Sequence, residues 1–296
     1  EPPASGWVGA GSPGLAALPG RTRHSRAGRV IRRRRRPRLV ALDVDGTLVT
    51  YADFFDPPTR QVVNAVRRTL QAGVHVVLAT GRSLHSTIPV IDQLRLTEGF
   101  AVCSNGAVVA DVASRTPVHV VTFDASDPVQ YFAEEIPDAV LAIEELGVGF
   151  RVTGDFPVGE LDGRVTVVTH DELLDGPVTR LVVRWPQGDR ERLRRVAAAS
   201  GLPSVDYAIG YTAWLDIMPE GVSKAAGLAT VCEKLGFSRS DVMAVGDGHN
   251  DMEMLAWAGH GVAMGQAPWD VKEVADAVCL SVDDDGVALL LNELFA

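Results

Sequence analysis

Leu39-Val40-Ala41-Leu42 offers no polar face, and it stops abruptly at Asp43-Val44-Asp45-Gly46-Thr47. A continuous apolar run without alternation reads as a strand buried on both sides, the mark of a parallel sheet covered by helices. The pattern returns at Val74 to Ala79, which runs into Thr80-Gly81-Arg82, and at Val242 to Val245, which runs into Gly246-Asp247-Gly248-His249-Asn250-Asp251. Phe100 to Ser104, Gly261 to Ala263 and Ala277 to Leu280 read as further strands of the same kind. Between them, Val62, Val63, Val66 and Leu70 recur at helical spacing and end at Gly73. A second helix is expected from about Ser83 to Leu94, interrupted or bent at Pro89, and a third from Ser223 to Leu235 with Gly236 as its stop.

Asn105-Gly106 is the strongest turn signal in the chain, and beyond it the rhythm changes. Strand-like pieces at Val118 to Phe123, Val165 to Thr169 and Val178 to Trp185 stand among polar segments and two helices near Asp127 to Ile136 and Asp189 to Ala199. The expected fold is therefore α/β, a doubly wound parallel-sheet, Rossmann-like core interrupted by an inserted α+β domain. The core takes residues 38–118 and 209–296, the insert residues 119–208, and residues 1–37 form a basic N-terminal extension expected to be disordered.

Charge separates that extension from the rest. Ten of the 28 basic residues and one of the 38 acidic residues lie in residues 1–38, which leaves 18 against 37, a balance of -19, for everything after them. An acidic body argues against nucleic acid as its main partner. The arginine-rich segment could touch nucleic acid or acidic lipid, but the preferred reading is a dispensable extension. It does not read as a signal peptide, because the apolar stretch after it is short and broken by Asp43. No run of about 18 apolar residues is present, so no membrane span is expected. Cys103, Cys232 and Cys279 lack metal-ligand spacing; the reading is of buried small hydrophobes in a reducing, cytoplasmic protein.

The acidic loops lie where open α/β sheets bind ligands, outside the carboxyl ends of their strands. One residue separates Asp43 from Asp45 on an extended segment, so both side chains can point to one side. Two carboxylates about 4 Å apart repel by roughly 4 kcal/mol at an effective dielectric near 20. Adding Asp247 and Asp251 calls for a cation. Oxygen ligands without a His/Cys pattern select a hard ion, magnesium in the first place. A lone Asp is more often a helix cap or a solvated turn residue, as at Asp53 and Asp56, but two distant acidic loops flush against buried strands are not. His249 is read as an exposed loop position, since magnesium prefers oxygen. Lys224 opens a helix, where the dipole disfavours a cation, and this suggests an anionic target against the plainer reading of a surface lysine.

These residues resemble the four signature motifs of the haloacid-dehalogenase-like superfamily. The order of motifs, with Asn105-Gly106-Ala107, Gly221-Val222-Ser223-Lys224 and Gly261-Val262-Ala263-Met264-Gly265, resembles its Cof-type branch, whose larger cap lies between the second and third motifs. The resemblance spans Arg38 to the C-terminus. It implies a magnesium-dependent phosphatase in which Asp43 attacks phosphorus and Asp45 protonates the leaving oxygen, then activates water. By the same resemblance Thr80 and the Gly81 backbone bind phosphoryl oxygens, and Lys224 offsets negative charge. Asp43, the Asp45 carbonyl and Asp247 hold the metal, with Asp251 behind them through water. Asn250 helps to position the group, and Arg82 and Asn105 face the substrate. The chain departs from the pattern at Gln266, where the family has Asn, and at Ala225, where it has Gly.

The implied partner is a small phosphorylated metabolite: a sugar phosphate, a polyol phosphate or a flavin-mononucleotide-like ester. No membrane partner is implied, and no oligomer is specified. A dehalogenase on this fold does not need Asp45, since a halide leaves unprotonated. A phosphomutase keeps that residue and stays as an alternative, as does, more remotely, a non-enzymatic binding protein using the basic tail. The insert is expected to act as a substrate-selecting cap.

Overall fold

The computed structural model describes residues 36–50, 56–157, 159–202, 205–209 and 213–295. The expectation for the basic extension falls on residues 1–35, outside the described residues. The chain begins with β1 (Leu39–Leu42), α1 (Arg60–Gln71), β2 (His75–Ala79), α2 (Leu84–Leu94) and β3 (Phe100–Cys103). Thr59 caps α1 by accepting the Val62 N–H at 3.2 Å, and Val62, Ala65, Val66 and Thr69 form its buried face. Pro89 lies inside α2 without ending it. The missing N–H and ring clash cost about 3 kcal/mol, while burial of Val90, Ile91 and Leu94 stabilises by roughly 1.5–3 kcal/mol each.

After β3 the chain turns through Ser104, Asn105 and Gly106, all at positive φ (49°, 54° and 107°), and returns antiparallel as β4 (Val108–Asp111), then β5 (Thr116–Val120). The Asn-Gly signal is thus the head of a hairpin. There follow α3 (Ser126–Glu135), β6 (Val140–Glu145), β7 (Gly149–Val152), β8 (Arg164–Val167), α4 (His170–Leu173), β9 (Leu181–Arg184), α5 (Arg190–Ala199), β10 (Val205–Ile209) and β11 (Trp214–Pro219). The last part contributes α6 (Lys224–Leu235), β12 (Val242–Gly246), α7 (Met252–Trp257), β13 (His260–Ala263), α8 (Trp269–Val274), β14 (Ala277–Val278) and α9 (Gly286–Phe295).

Two sheets result. The eight-stranded sheet has the order β14-β13-β12-β1-β2-β3-β4-β5, parallel from β14 to β3 and antiparallel at the β4–β5 edge. Its strands alternate between two buried faces. Val40, Leu42, Val76, Leu78, Met243 and Val245 join the core under α1, α2 and α9. Leu39, Ala41, Val77, Ala79, Val242 and Ala244 join the one under α6, α7 and α8. This is the doubly wound arrangement that the uninterrupted apolar runs predict.

The six-stranded sheet has the order β10-β11-β9-β6-β7-β8. Helices α3 and α5 cover one face, and its other face carries Ala142, Phe150, Val152 and Val182. Sheet membership shifts the expected limits of the insert. Strand β5 stays in the larger sheet through Val120, and the smaller sheet keeps the chain through Pro219 rather than releasing it at residue 208. Helix α9 was not read from the sequence. Its Val287-to-Leu291 run is apolar on every side, and such a run does not tell helix from strand by period. It packs on α1, with Arg68 Nη1 donating to Asn292 Oδ1 at 3.0 Å.

Of the cysteines, Cys103 and Cys232 are buried as expected, but Cys279 is only half-buried. Burial pushes their thiols up to about 12 for Cys103 and about 11 for the other two, so none is a ready nucleophile. Among the described residues, no helix is long and apolar enough to cross a membrane.

Candidate active site

Strand β1 delivers Asp43 beside β12, where its N–H donates to the Val245 carbonyl at 3.0 Å. The next residues turn back at once: Gly46, at φ 80°, donates to Val49 O, and Leu48 and Val49 both donate to Val44 O. At the end of β12, the Asp251 carboxylate folds under the loop. Its Oδ2 accepts the N–H groups of Asp247 and Gly248, both at 2.9 Å. A Cβ on Gly246 would come within 2.4 Å of that carboxyl group, so glycine is what allows the approach. Lys224, the first residue of α6, is buried and donates to Asp43 Oδ1 at 2.6 Å and to Asp251 Oδ1 at 2.7 Å. Gly106 lets the β3–β4 turn press on the start of this helix, since a Cβ there would strike the Ser223 carbonyl at 2.0 Å.

Oxygens of Asp43, Asp247 and Asp251 lie within 4.8 Å of one another, and all three residues are buried. Burial, then the neighbouring Asp251, raises the Asp43 carboxyl well above its ordinary range, against the pull of Lys224; Asp247 and Asp45 add to the rise. For Lys224 burial alone would lower the ammonium, but Asp251 and Asp43 outweigh it and hold it above its ordinary value. Three buried carboxylates against one ammonium fit a further cation. The hard oxygen donors suit a divalent ion of the magnesium type.

The expected site residues converge, with differences of aim. Asp45 stands apart from the carboxylate trio. Arg82 grips it with two parallel hydrogen bonds, Nε to Oδ2 at 2.9 Å and Nη2 to Oδ1 at 2.6 Å. Arg82 is therefore engaged with Asp45, as a guanidinium beside a carboxylate takes the bidentate geometry. Thr80 is fully buried, and its hydroxyl oxygen accepts the Arg82 N–H at 3.0 Å. Asn105 is buried and receives a hydrogen bond from the exposed Asn250 at 3.0 Å. The Asn105 amide also lies against Gly81, 3.1 Å from where a Cβ would be. His249 is half-buried and paired with Asp270 at 2.9 Å, not the exposed loop position expected.

The two departures from the family pattern are accommodated. Gln266 Nε2 donates to the Gly46 carbonyl at 2.5 Å and to Asp247 Oδ2 at 3.2 Å, while its Oε1 accepts the Val282 N–H at 3.0 Å. The longer side chain thus ties together both acidic loops and the segment before α9. Ala225 sits in the first turn of α6, buried, in a position any helical residue adopts.

Sequence reasoning missed residues of the smaller sheet that reach this site. Arg180 Nη1 donates to the Gly81 carbonyl at 2.7 Å, and Ser104 Oγ donates to Glu144 Oε2 at 2.6 Å. The one available signal was a pair of arginines, Arg180 and Arg184, interrupting an otherwise apolar strand. A groove of about 460 Å³ lies between α1 and α2 beside Arg60, Arg67 and Arg95, and none of the site residues above lines it.

The chain matches the haloacid dehalogenase-like hydrolase family over residues 40–144 and 168–291. It is 29% identical over 269 residues to the 5-amino-6-(5-phospho-D-ribitylamino)uracil phosphatase YcsE of Bacillus subtilis, covering 85% of this chain and 93% of that one. Among solved structures it resembles BT1666 of Bacteroides thetaiotaomicron, described among phosphatases of the same superfamily, at 27% identity and a TM-score of 0.74, over 90% of this chain and 98% of that one. The subclass IIB sugar phosphatase BT4131 shares the fold at 21% identity and a TM-score of 0.73, over 86% and 98% of the two chains.

Proposed function

The chain belongs to the haloacid dehalogenase-like hydrolase family and is a phosphatase of its Cof-type branch, and from that premise we propose that it hydrolyses small phosphate monoesters through a phosphorylated Asp43, with magnesium as its metal. The observation that carries this reading is the buried Lys224 ammonium bridging Asp43 and Asp251 inside a trio of carboxylates. Asp43 gives one oxygen to Lys224; its other oxygen forms the bond to phosphorus as the bond from phosphorus to the leaving oxygen breaks. Asp45, half-buried and paired with Arg82, must leave that pairing when substrate binds and take up a proton, which it then gives to that leaving oxygen. It then takes one from the water that attacks phosphorus, which restores Asp43 and frees inorganic phosphate.

Thr80 and the Gly81 backbone hold phosphoryl oxygens, Asn105 and Asn250 border the group, and Lys224 counters its charge. Asp43, Asp247 and the Asp45 carbonyl would hold the metal. Asp251, whose oxygens are already engaged by Lys224 and two backbone N–H groups, supports from behind. A divalent ion there supplies positive charge against the phosphoryl oxygens and the carboxylates.

The substrate class we infer is a sugar or polyol monophosphate, because the Bacillus relative is named for a phosphoribityl compound. The smaller sheet is read as a cap over the leaving group, and the acidic body with unpaired cysteines as a cytoplasmic protein. The test is phosphate release from a panel of sugar and polyol monophosphates with magnesium, using wild type and Asp43→Asn. The isosteric amide keeps the shape and loses the nucleophile, so turnover should fall by at least about 10⁴-fold. Retention of most activity by purified Asp43→Asn would remove the covalent mechanism.

A further inference from the structure

Three carbonyls line the loop from Thr80 to Arg82, and each has a different fastening. Thr80 O accepts the Asn105 N–H at 3.1 Å, and Arg82 O accepts the Ser104 N–H at 2.8 Å, both from the neighbouring turn of the larger sheet. Gly81 O is held from outside that sheet, by Arg180 Nη1. Ser104, which holds Arg82 O, is itself held from the smaller sheet through Glu144. We propose that Arg180 is a positioning residue for the phosphate-binding loop, with Glu144 its counterpart on the adjacent turn, so that the core is catalytically complete only while the smaller sheet is docked. This rests on the phosphatase reading above and adds to it a role in the chemical step for a sheet otherwise assigned to substrate choice.

The peptide unit that Arg180 grips joins Gly81 to Arg82. Its carbonyl goes to the guanidinium, and its N–H goes to the Thr80 hydroxyl oxygen. With that oxygen occupied as an acceptor, the Thr80 hydroxyl keeps its proton to donate elsewhere, as a phosphoryl contact requires. Rotation of the same peptide would also carry away the base of the Arg82 side chain, which grips Asp45. One hydrogen bond from the smaller sheet therefore steadies both a phosphate ligand and the arginine that orients Asp45.

Arg180 is placed for this work and not for reaching a substrate. Its side chain is 6% exposed, with Glu144 3.6 Å from Nε and Asp216 3.5 Å from Nη1. Those carboxylates aim the guanidinium at the Gly81 carbonyl. Glu144 lies on β6 and Arg180 immediately precedes the paired strand β9, so the two prongs keep a fixed spacing.

The experiment compares wild type, Arg180→Lys and Arg180→Met on p-nitrophenyl phosphate and on the sugar and polyol monophosphate panel, with amide hydrogen exchange at Arg82 and Ser104. Arg180→Met should lower kcat about 100-fold on every substrate, the small aryl ester included, because displacement of about 1 Å at a positioning contact costs that much. KM and substrate ranking should change little, and exchange at both amides should quicken. Arg180→Lys, which still offers a donor to Gly81 O, should recover much of kcat. If Arg180→Met instead reorders the substrates while p-nitrophenyl phosphate turnover stays as in wild type, Arg180 is a recognition residue and the proposal is overturned. Unchanged exchange and kcat overturn it equally. Should the single variant be insoluble with two carboxylates left uncompensated, Arg180→Met/Asp216→Asn removes one of those charges, leaves the Glu144–Ser104 contact in place and answers the same question. Failure of the phosphatase reading would show separately, as absent phosphate release from wild type, and the exchange measurement would still judge the loop contact.

Discussion

Two clusters of buried charge face each other in this molecule, and they are finished to different degrees. In the larger sheet, Asp251 has both oxygens engaged, by Lys224 and by two backbone N–H groups, and Gln266 reaches Asp247. In the smaller sheet, Glu144 Oε1, Arg180 Nε and Asp216 Oδ1 are buried without a hydrogen-bond partner, as is Thr179 Oγ1, whereas in the Asp43–Thr47 loop the buried atom in that state is a neutral one, Thr47 Oγ1. Each such atom costs about 1–3 kcal/mol. Burial also raises the Asp216 carboxyl, although Arg180 pulls it down. The contrast teaches a division of labour. The carboxylates of the cluster that reacts are locked by their own loops, while the cluster that docks leaves charged atoms without hydrogen bonds.

The sharpest way to break that comparison is within the reacting cluster. Asp45→Asn should lower kcat by about 10²–10⁴-fold on alkyl phosphates, the range for general acid–base catalysis. The loss should shrink on p-nitrophenyl phosphate, whose leaving oxygen hardly needs a proton. Equal losses on both esters in steady-state assays would show that Asp45 does not protonate the leaving group. The docking cluster should respond differently. Exchanging the segment from Ser126 to Pro219 for its counterpart from a related phosphatase, with Glu144 and Arg180 retained, should reorder substrates by about 10- to 200-fold, the scale of pocket discrimination. Asp43 should remain phosphorylatable in the chimera. A folded chimera that keeps the parent's ranking would move specificity to the core loops around Asn105.

A smaller effect separates the clusters by metal. A carboxyl raised on folding, as Asp43 is, favours the folded state below its unfolded pKa. That contribution is lost as pH rises through the folded value. Magnesium, by countering the ionised trio, should therefore stabilise the protein more at neutral than at acidic pH. Saturation at 100 times Kd would give about 2.7 kcal/mol. Calorimetry with and without the ion at both pH values checks this. Asp247→Asn should erase most of the gain, whereas Glu144→Gln should leave it intact.

How far these regions were legible in the sequence follows from how local their signals are. Asp43, Thr80 and Asp247 each follow a run of buried strand directly, so sheet geometry alone brings them together. Lys224 was less plain, because nothing in its own helix says which carboxylates it meets. The pairing of Arg82 with Asp45 was not legible, since the two lie 37 residues apart and nothing local says that they meet. The core partners of Glu144 and Arg180 were hidden for the same reason, at 40 and 99 residues away. Strands β6 and β7 escaped because their alternation is masked by buried charge on one face and glycine at the turn.

The position of β1 has a consequence for synthesis. It lies between β2 and β12, paired with Val242 through Val245 on one side. A ribosome adding about 5–20 residues per second needs roughly 10–40 s to travel from Leu42 to Val245. Throughout that interval Leu-Val-Ala-Leu presents an unpaired hydrophobic edge, the kind that recruits other nascent chains. The antiparallel pairs of the smaller sheet close over short distances and can form during the wait. The segment placed between the halves of the nucleophile's own sheet is thus also a delay, and the strand that carries Asp43 is the one left open while it elapses.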